Sequence, residues 1–394
     1  MTEKTGPRTR VVVIGGGYAG VLAANHLRVD DSIDITLVNP RPSFVERIRL
    51  HQLVTGSDDA VVDYGTVLGE GIELAVDSAT KIDVSARRVE LASGGSIGFD
   101  YLIYAVGSTG AAPKVPGAVE FAYPISEYEH GEPLRAAVAA AAVDAPICVV
   151  GAGPTGLEMA AELAEEGRRV TLICGAVMGP YLSTRARRSA AKRMARLGVT
   201  VIDGPDANAT EVLRDAVVLA DGRRIVAAVT IWTAGFGVPD LAARSGLSTD
   251  TVGRLLTDET LTSVDDPRVV GAGDATAPSD LPLRMSCQAA LPLGAQAANT
   301  VLNRIAGTPP KPLNQAFTGQ CISLGRSAGL IQIAHLDDTV TPLYIGGRAA
   351  ASIKEAVCKG TVSFLSREAR KPGSYFWLKG GKRQQKLAAQ TVSP

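Results

Sequence analysis

Two six-residue runs carry the most readable chemistry in this chain. Gly15-Gly16-Gly17-Tyr18-Ala19-Gly20 directly follows the apolar run Val11–Ile14, and Gly151-Ala152-Gly153-Pro154-Thr155-Gly156 directly follows Ile147–Val150. Glycine at the first, third and sixth places permits a tight turn, lets backbone N–H groups approach a pyrophosphate, and lets a helix lie close on its strand. The phosphate charge then meets the positive end of that helix. A third feature comes late. Asp265-Asp266-Pro267-Arg268-Val269-Val270-Gly271-Ala272-Gly273-Asp274 delivers an aspartate onto a glycine turn, and an acceptor-only carboxylate there suits a polyol or ribitol hydroxyl. An aspartate capping the next segment is the plainer alternative.

The elements that must position these groups repeat in the same order. After the first run a helical pattern passes through Leu22, Ala23 and Leu27, and a buried strand over Ile35–Val38 ends at Asn39. After the second, Leu157–Glu166 reads as a helix and Val170–Cys174 as a strand. Farther on, a hairpin (Arg88–Leu91, a turn through Gly94-Gly95, then Ile97) leads into Tyr101–Ala105 and Gly107. Its counterpart is Ala216–Leu219, Asp221-Gly222 and Ile225, leading into Val229–Thr233 and Gly235. A repeat of about 130 residues, each copy a complete nucleotide-binding unit, predicts an α/β fold with two bound dinucleotides.

Composition narrows the rest. The 394 residues hold 40 basic and 40 acidic side chains, so no global charge points to nucleic acid. No run approaches the roughly 18–20 apolar residues a spanning helix needs, and the most apolar one, Ala136–Val143, is mainly alanine. Arg8 and Arg10 precede only four apolar residues, too few for an export signal, so the cytoplasm is expected. Cys148, Cys174, Cys287, Cys321 and Cys358 are scattered without C-x-x-C or C-x4-C spacing, which argues against a disulfide framework or a metal site.

Taken together, the two glycine runs, the turns Ala105-Val106-Gly107 and Thr233-Ala234-Gly235, and Gly271–Asp274 resemble the flavoproteins with two dinucleotide-binding domains. Within them the chain resembles the type II NADH dehydrogenases and their apoptosis-inducing-factor-like relatives. Gly151–Glu158 is similar to that family's G-G-G-P-T-G-V-E. Arg49-Leu50-His51-Gln52 with Thr55-Gly56 is similar to the segment after the second strand, and Cys287-Gln288-Ala289-Ala290 to the A-Q-x-A helix beneath the flavin. The absence of cysteine before Cys148 separates the chain from the disulfide reductases.

The resemblance implies two Rossmann-like domains of glutathione-reductase-like architecture plus a small α+β C-terminal region. Residues 1–112 and 250–308 are expected to bind FAD without a covalent bond, 113–249 to bind NADH or NADPH, and 309–394 to form the C-terminal region. It implies hydride transfer from NAD(P)H to the flavin and electron transfer onward to a quinone-like acceptor. A reductase of a ferredoxin-like partner and a slow-turnover redox sensor remain the alternatives. For FAD it points to Gly15, Gly17, Tyr18, Ala19 and Gly20 at the pyrophosphate, Asn39 and Pro40 at the ribose, Ala79 at the adenine, Ala105, Gly107, Gly273 and Asp274 along the ribitol, and Cys287 and Gln288 under the ring. For the nicotinamide nucleotide it points to Gly151, Gly153, Pro154, Thr155, Gly156 and Gly235.

Glu158 and Lys354 are the expected catalytic residues by the same resemblance, and no metal is expected. Glu158 is expected in the first helical turn, where the dipole favours a carboxylate. Lys354 reads equally as a solvated lysine beside Glu355, and His51 as a structural hydrogen-bonder. Cys174 replaces the acid that usually receives a ribose hydroxyl, while Arg185, Arg187 and Arg188 lie on a basic helix, so NADH and NADPH both stay open. Pro292 is expected to disturb its helix one turn in. Beyond Pro309, Cys321–Leu324 and Leu330–Ile333 suggest a strand pair and Arg348–Leu365 an amphipathic stretch. From Arg367 onward the chain is basic around Tyr375-Phe376-Trp377, which suits an anionic membrane surface on the inner face, or equally aromatics folded back on the body. Homodimerisation is left open.

Overall fold

The computed structural model describes residues 8–392. At its centre are two five-stranded sheets of one plan. In the first, Thr9–Ile14 lies between Ile33–Asn39 and Tyr101–Tyr104, with Ile72–Val76 and Val269–Gly271 at the edges. In the second, Pro146–Val150 lies between Arg169–Ile173 and Val229–Trp232, with Thr200–Ile202 and Ala122–Pro124 outermost. All these pairings are parallel. The sequence dictates this, because short unbroken runs such as Val11–Ile14 have no polar face to give to water and must be covered on both sides. Each sheet also carries an antiparallel three-stranded appendage, Ala79–Asp83 with Arg88–Leu91 and Ser96–Gly98, and Ala209–Leu213 with Ala216–Leu219 and Arg224–Val226. A short antiparallel contact, Thr109–Gly110 with Phe236–Gly237, joins the two units.

The helix after the first turn, Tyr18–Leu27, is buried along its whole length. It packs between the first sheet and two later helices, Cys287–Ile305 and Gly347–Arg370. Small residues make that possible: a Cβ at Gly294 would strike the Ala19 carbonyl, so the two helices meet backbone to backbone. Leu22, Leu27, Leu37, Ile103, Val301 and Leu365 share one core, and each fully buried aliphatic side chain of this kind contributes about 1.5–3 kcal/mol. A second core joins Leu134, Leu157, Leu172, Ile322 and Leu330.

Three expectations about the later part of the chain change. Pro292 does not break its helix, which runs unbroken from Cys287 to Ile305. A proline there leaves the Gln288 carbonyl without its helical donor, and Gln315 Nε2 fills the gap at 3.2 Å. The strand pair becomes a sheet of three, Gly319–Ser323, Gly329–Ala334 and Val340–Gly346, and the amphipathic stretch extends over Gly347–Arg370. Of the two alternatives for the basic tail, Tyr375 and Trp377 fold back on the body, while Phe376 stays exposed. Glu368 is fully buried, where it contacts His26 Nδ1 at 2.6 Å and accepts the N–H groups of Gly373 and Tyr375. Tyr375 stacks on Trp377, whose Nε1 donates to Asn314, and Arg383 pairs with Glu259 at 2.7 Å. Among the described residues no helix is long and apolar enough to cross a membrane.

Candidate active site

The two glycine turns have nearly the same backbone. Gly15 and Gly151 take φ of +104° and +107°, a region that side chains avoid. A Cβ at Gly20 would fall on the Gly15 carbonyl, and one at Gly156 on the Gly151 carbonyl, so only glycine lets each helix start so close to its strand. At Gly17 and Gly153 the opposite holds: a Cβ would meet nothing within 4 Å. Each turn therefore offers a bare backbone face at the positive end of a helix of ten or twelve residues, a fit for a dinucleotide pyrophosphate.

Around the first turn the predicted residues gather. Asn39 is buried and turned inward, its Oδ1 accepting Gly16 N–H at 2.9 Å and its Nδ2 donating to the Arg41 carbonyl at 2.8 Å. Pro40 beside it is exposed, and Ala79 opens a strand just beyond the end of the first sheet. Ala105 closes the turn by donating its N–H to Ile14 at 2.9 Å. Asp274 accepts from Ser108 Oγ at 2.8 Å and from the Ser286 amide at 3.1 Å. It does not cap the short turn it sits in. Burial pushes its carboxyl up, against the pull of Ser108, Arg47 and Ser286. Ser286 itself caps the Cys287–Ile305 helix through Ala289 N–H, so Asp274 is tied to the helix that Cys287 and Gln288 begin.

Beside this lies a buried cluster whose members come from distant parts of the sequence. Glu158 and Lys354 form an ion pair of 3.1 Å, with Ser323 N–H also on Glu158 at 3.0 Å. Glu158 is therefore not the helix-dipole partner expected of it. It falls beyond the first turn of Pro154–Glu165, and its charge is balanced by an ammonium. Burial alone would raise its carboxyl, but Lys354, His51 and Ser323 hold it below the usual range. Lys354 is not solvated beside Glu355. Burial would strip its proton, yet Glu158 with the neighbouring Cys358 and Cys321 keeps it well above the ordinary lysine value. His51 sits on the other side, Nδ1 at 3.8 Å from Glu158 and Nε2 at 3.3 Å from Glu162. Its neighbour Arg49 is buried too and grips Glu355 at 3.1 Å, fixing the helix that carries Lys354.

Three cysteines come close to Lys354: Cys287, expected at the flavin, and Cys321 and Cys358, which sequence reasoning passed over. Burial pushes Cys287 to about 11 and Cys358 to about 12, so both stay as thiols, and all five cysteines are unpaired. Other expectations scatter. Arg185 and Arg188 are exposed on Thr184–Arg196, while Arg193 turns in to Glu165 and the Leu324 carbonyl. Cys174 points its thiol back to the Leu172 carbonyl, with Asp203, just past the adjacent strand Thr200–Ile202, near enough to raise the thiol further. The residues that sequence reasoning missed are Ser323, Arg49 with Glu355, and Glu162. Only the last left a local trace: two carboxylates four apart on an otherwise apolar helix face.

The pyridine nucleotide-disulphide oxidoreductase family matches residues 9–297. An NADH dehydrogenase-like protein of Mycobacterium tuberculosis is 31% identical over 361 residues, covering 82% of this chain and 87% of its own. A type II NADH:quinone oxidoreductase of Staphylococcus epidermidis is 27% identical over 387 residues, covering 89% and 94%. Among solved structures, the sulfide:quinone oxidoreductase of Aquifex aeolicus superposes with a TM-score of 0.80 at 21% identity, covering 98% of this chain and 96% of that one. NDH2 of Plasmodium falciparum in complex with NADH gives 0.76 at 13% identity, covering 94% and 100%. These structural likenesses show a common fold. The chain belongs to the pyridine nucleotide-disulphide oxidoreductase family and is an oxidoreductase of the two-dinucleotide α/β architecture.

Proposed function

We propose that this member of the family is an FAD-dependent NAD(P)H dehydrogenase that hands electrons to a quinone. The observation that carries the reading is the duplicated cradle: two sheets, each with the same strand, left-handed glycine and bare turn at a helix N-terminus. Relatives named as type II NADH:quinone oxidoreductases support the choice of donor and acceptor. We assign FAD to 1–112 with 250–308, the nicotinamide nucleotide to 113–249, and a C-terminal region to 309–394.

Bound FAD would supply a two-electron store between donor and acceptor. The protein's share is binding, orientation and charge. Amides of Gly15–Gly20, at the head of Tyr18–Leu27, take one pyrophosphate, and those of Gly151–Gly156 take the other. Asp274 offers its carboxylate to a ribitol hydroxyl, held ready by Ser108 and Ser286. Glu158 positions the nicotinamide end, and Lys354 keeps it ionised in a buried place. A cavity of about 420 Å³, lined in part by Gln52, Ser323, Arg326 and Lys354, leaves room for a planar acceptor to reach that ammonium. Asp203 beside Cys174 would repel a 2′-phosphate and so favours NADH over NADPH. The exposed Phe376 and Leu378, next to Lys379, are the proposed membrane contact on the cytoplasmic face. Flotation with anionic vesicles, lost in a Phe376→Ser/Leu378→Ser variant, checks that point.

The decisive experiment is anaerobic stopped-flow reduction by NADH and by NADPH, then reoxidation with a quinone panel. Fast bleaching by NADH and fast recovery with quinones are expected. Recovery only with a ferredoxin-like protein would replace the acceptor, and a protein that holds no flavin would end the reading.

A further inference from the structure

Reduction of a quinone by NADH needs one proton from water: NADH + H⁺ + Q → NAD⁺ + QH₂. The hydride carries both electrons and one hydrogen; the other hydrogen is the proton. Lys354 borders the cavity that a substrate ring would fill, and a filled cavity closes that side to water.

The opposite side of the Glu158–Lys354 pair is built differently. His51 is only 3% exposed and stands between two carboxylates of one helix, Glu158 (3.8 Å from Nδ1) and Glu162 (3.3 Å from Nε2). His51 Nε2 and Glu162 Oε2 are both buried without a well-formed hydrogen bond, although they face each other. The other oxygen of Glu162 accepts from Ser57 Oγ at 2.7 Å and Thr55 Oγ1 at 3.3 Å, and Ser57 is exposed. Four polar groups thus lead from the surface to the buried pair through an otherwise apolar contact of Leu50–Thr55 with Pro154–Glu165.

We propose that Ser57, Glu162 and His51 form a proton relay that recharges the Glu158–Lys354 pair from solvent. The proposal rests on the quinone reading above. In each turnover Lys354 gives a proton to the acceptor oxygen and is reprotonated through Glu158, a carboxylate at rest that carries each proton only in passage. Glu158 receives the Nδ1 proton of His51, His51 takes one at Nε2 from Glu162, and Glu162 takes one from water through the Ser57 hydroxyl. One H⁺ moves inward, no electrons move along the relay, and the ring then resets its tautomer. The groups around the imidazole suit a carrier that is neutral at rest. Burial lowers its proton affinity, as do Lys354 on the Gly347–Arg370 helix and Arg326 beyond the Gly319–Ser323 strand, while Glu158 and Glu162 oppose them. The neighbouring helix Tyr128–Ala140 meets this contact with Leu134 and Val138. Its Arg135 lies over Gly56, at the far end of the His51 helix.

The test uses the full-length FAD-loaded enzyme with menadione, and His51→Gln and Glu162→Gln. Both variants should be reduced by NADH within twofold of the parent rate, since that step draws no proton from water. Reoxidation by menadione should slow about a hundredfold, the low end of what positioned proton transfer contributes, and lose its pH dependence between 6 and 8. Equal slowing of both half-reactions, or unchanged reoxidation in both variants, overturns the relay. A second readout needs no turnover. Imidazole ¹⁵N resonances, assigned through His51→Gln, should show His51 titrating below the ordinary histidine range and lower still in Glu162→Gln. A His51 titration indifferent to Glu162 overturns the relay even if no quinone reacts, whereas absent quinone reactivity with intact coupling removes only the acceptor assignment.

Discussion

The two glycine turns share a backbone but are braced differently. At the first, Asn39 accepts Gly16 N–H, the Tyr64 hydroxyl donates to the Gly16 carbonyl at 2.9 Å, and Tyr18 meets Phe44 edge-on at 5.1 Å over the helix start. At the second, Cys174 takes Asn39's place and bonds back into its own strand. The turn is held from outside by Thr233, whose hydroxyl lies 2.9 Å from the Val150 carbonyl and 3.0 Å from that of Gly151, and by Gly179 N–H, which donates to the Ala152 carbonyl at 3.0 Å. A turn clamped on two sides suits a nucleotide that stays. One held by a threonine hydroxyl and a loop amide suits a nucleotide that enters and leaves with every cycle.

The most forceful way to break that contrast is to fill the sixth glycine of each turn. Gly20→Val overpacks the helix at the centre of the first core and should cost at least about 3 kcal/mol, giving protein without flavin. Gly156→Val should leave a yellow protein that NADH no longer bleaches. Flavin content and thermal melts of the two decide, and equal losses would mean that the two turns do not differ in role.

Lys354→Met comes next. It leaves Glu158 buried and unpaired, at a cost of about 3–5 kcal/mol, and adding Glu158→Gln should recover most of the loss. Urea unfolding of the single and double variants measures it. Smaller again is the contrast at the strand ends. Asn39→Ala strands a buried N–H and should cost about 1–3 kcal/mol, whereas Cys174→Ala should stay within about 0.5 kcal/mol.

The smallest effect is in pH, where the buried carboxyls of the two sites shift oppositely. Glu158 has a lowered folded pKa, so it stabilises above its unfolded value of about 4.3, and that contribution is lost as pH falls through the folded value. Asp274 has a raised one, since its closest partners are a hydroxyl and an amide rather than an ammonium. When ionised it therefore costs stability, and the cost is relieved as pH falls through the folded value toward about 3.9. Melts of the apoprotein from pH 3 to 8 should show Glu158→Gln below the parent at pH 7, the gap narrowing only as pH falls below about 4.3. Asp274→Asn should melt slightly above the parent at pH 7 and level with it at pH 3.

Much of the fold was legible because its signals are local. An unbroken apolar run ending in glycines reads as strand and turn wherever it lies, so both units, both hairpins and the Val269–Gly271 strand could be placed. What local reading missed was made by distant partners. Glu158 and Lys354 each stood out, but nothing in either neighbourhood told that the C-terminal helix would bring them within 3.1 Å or set His51 behind them. Pro292 read as a break because Gln315 was not in view. The strand Val340–Gly346 was hidden by Pro342, which a central strand could not accept but this edge strand does.

The burial of Glu368 against His26 also sets a timetable. The helix Tyr18–Leu27 is synthesised long before Cys287–Ile305 and Gly347–Arg370, which cover two of its faces. Until Glu368 has been synthesised, that earlier helix carries an exposed apolar flank, and the nascent chain needs shelter until those two helices arrive.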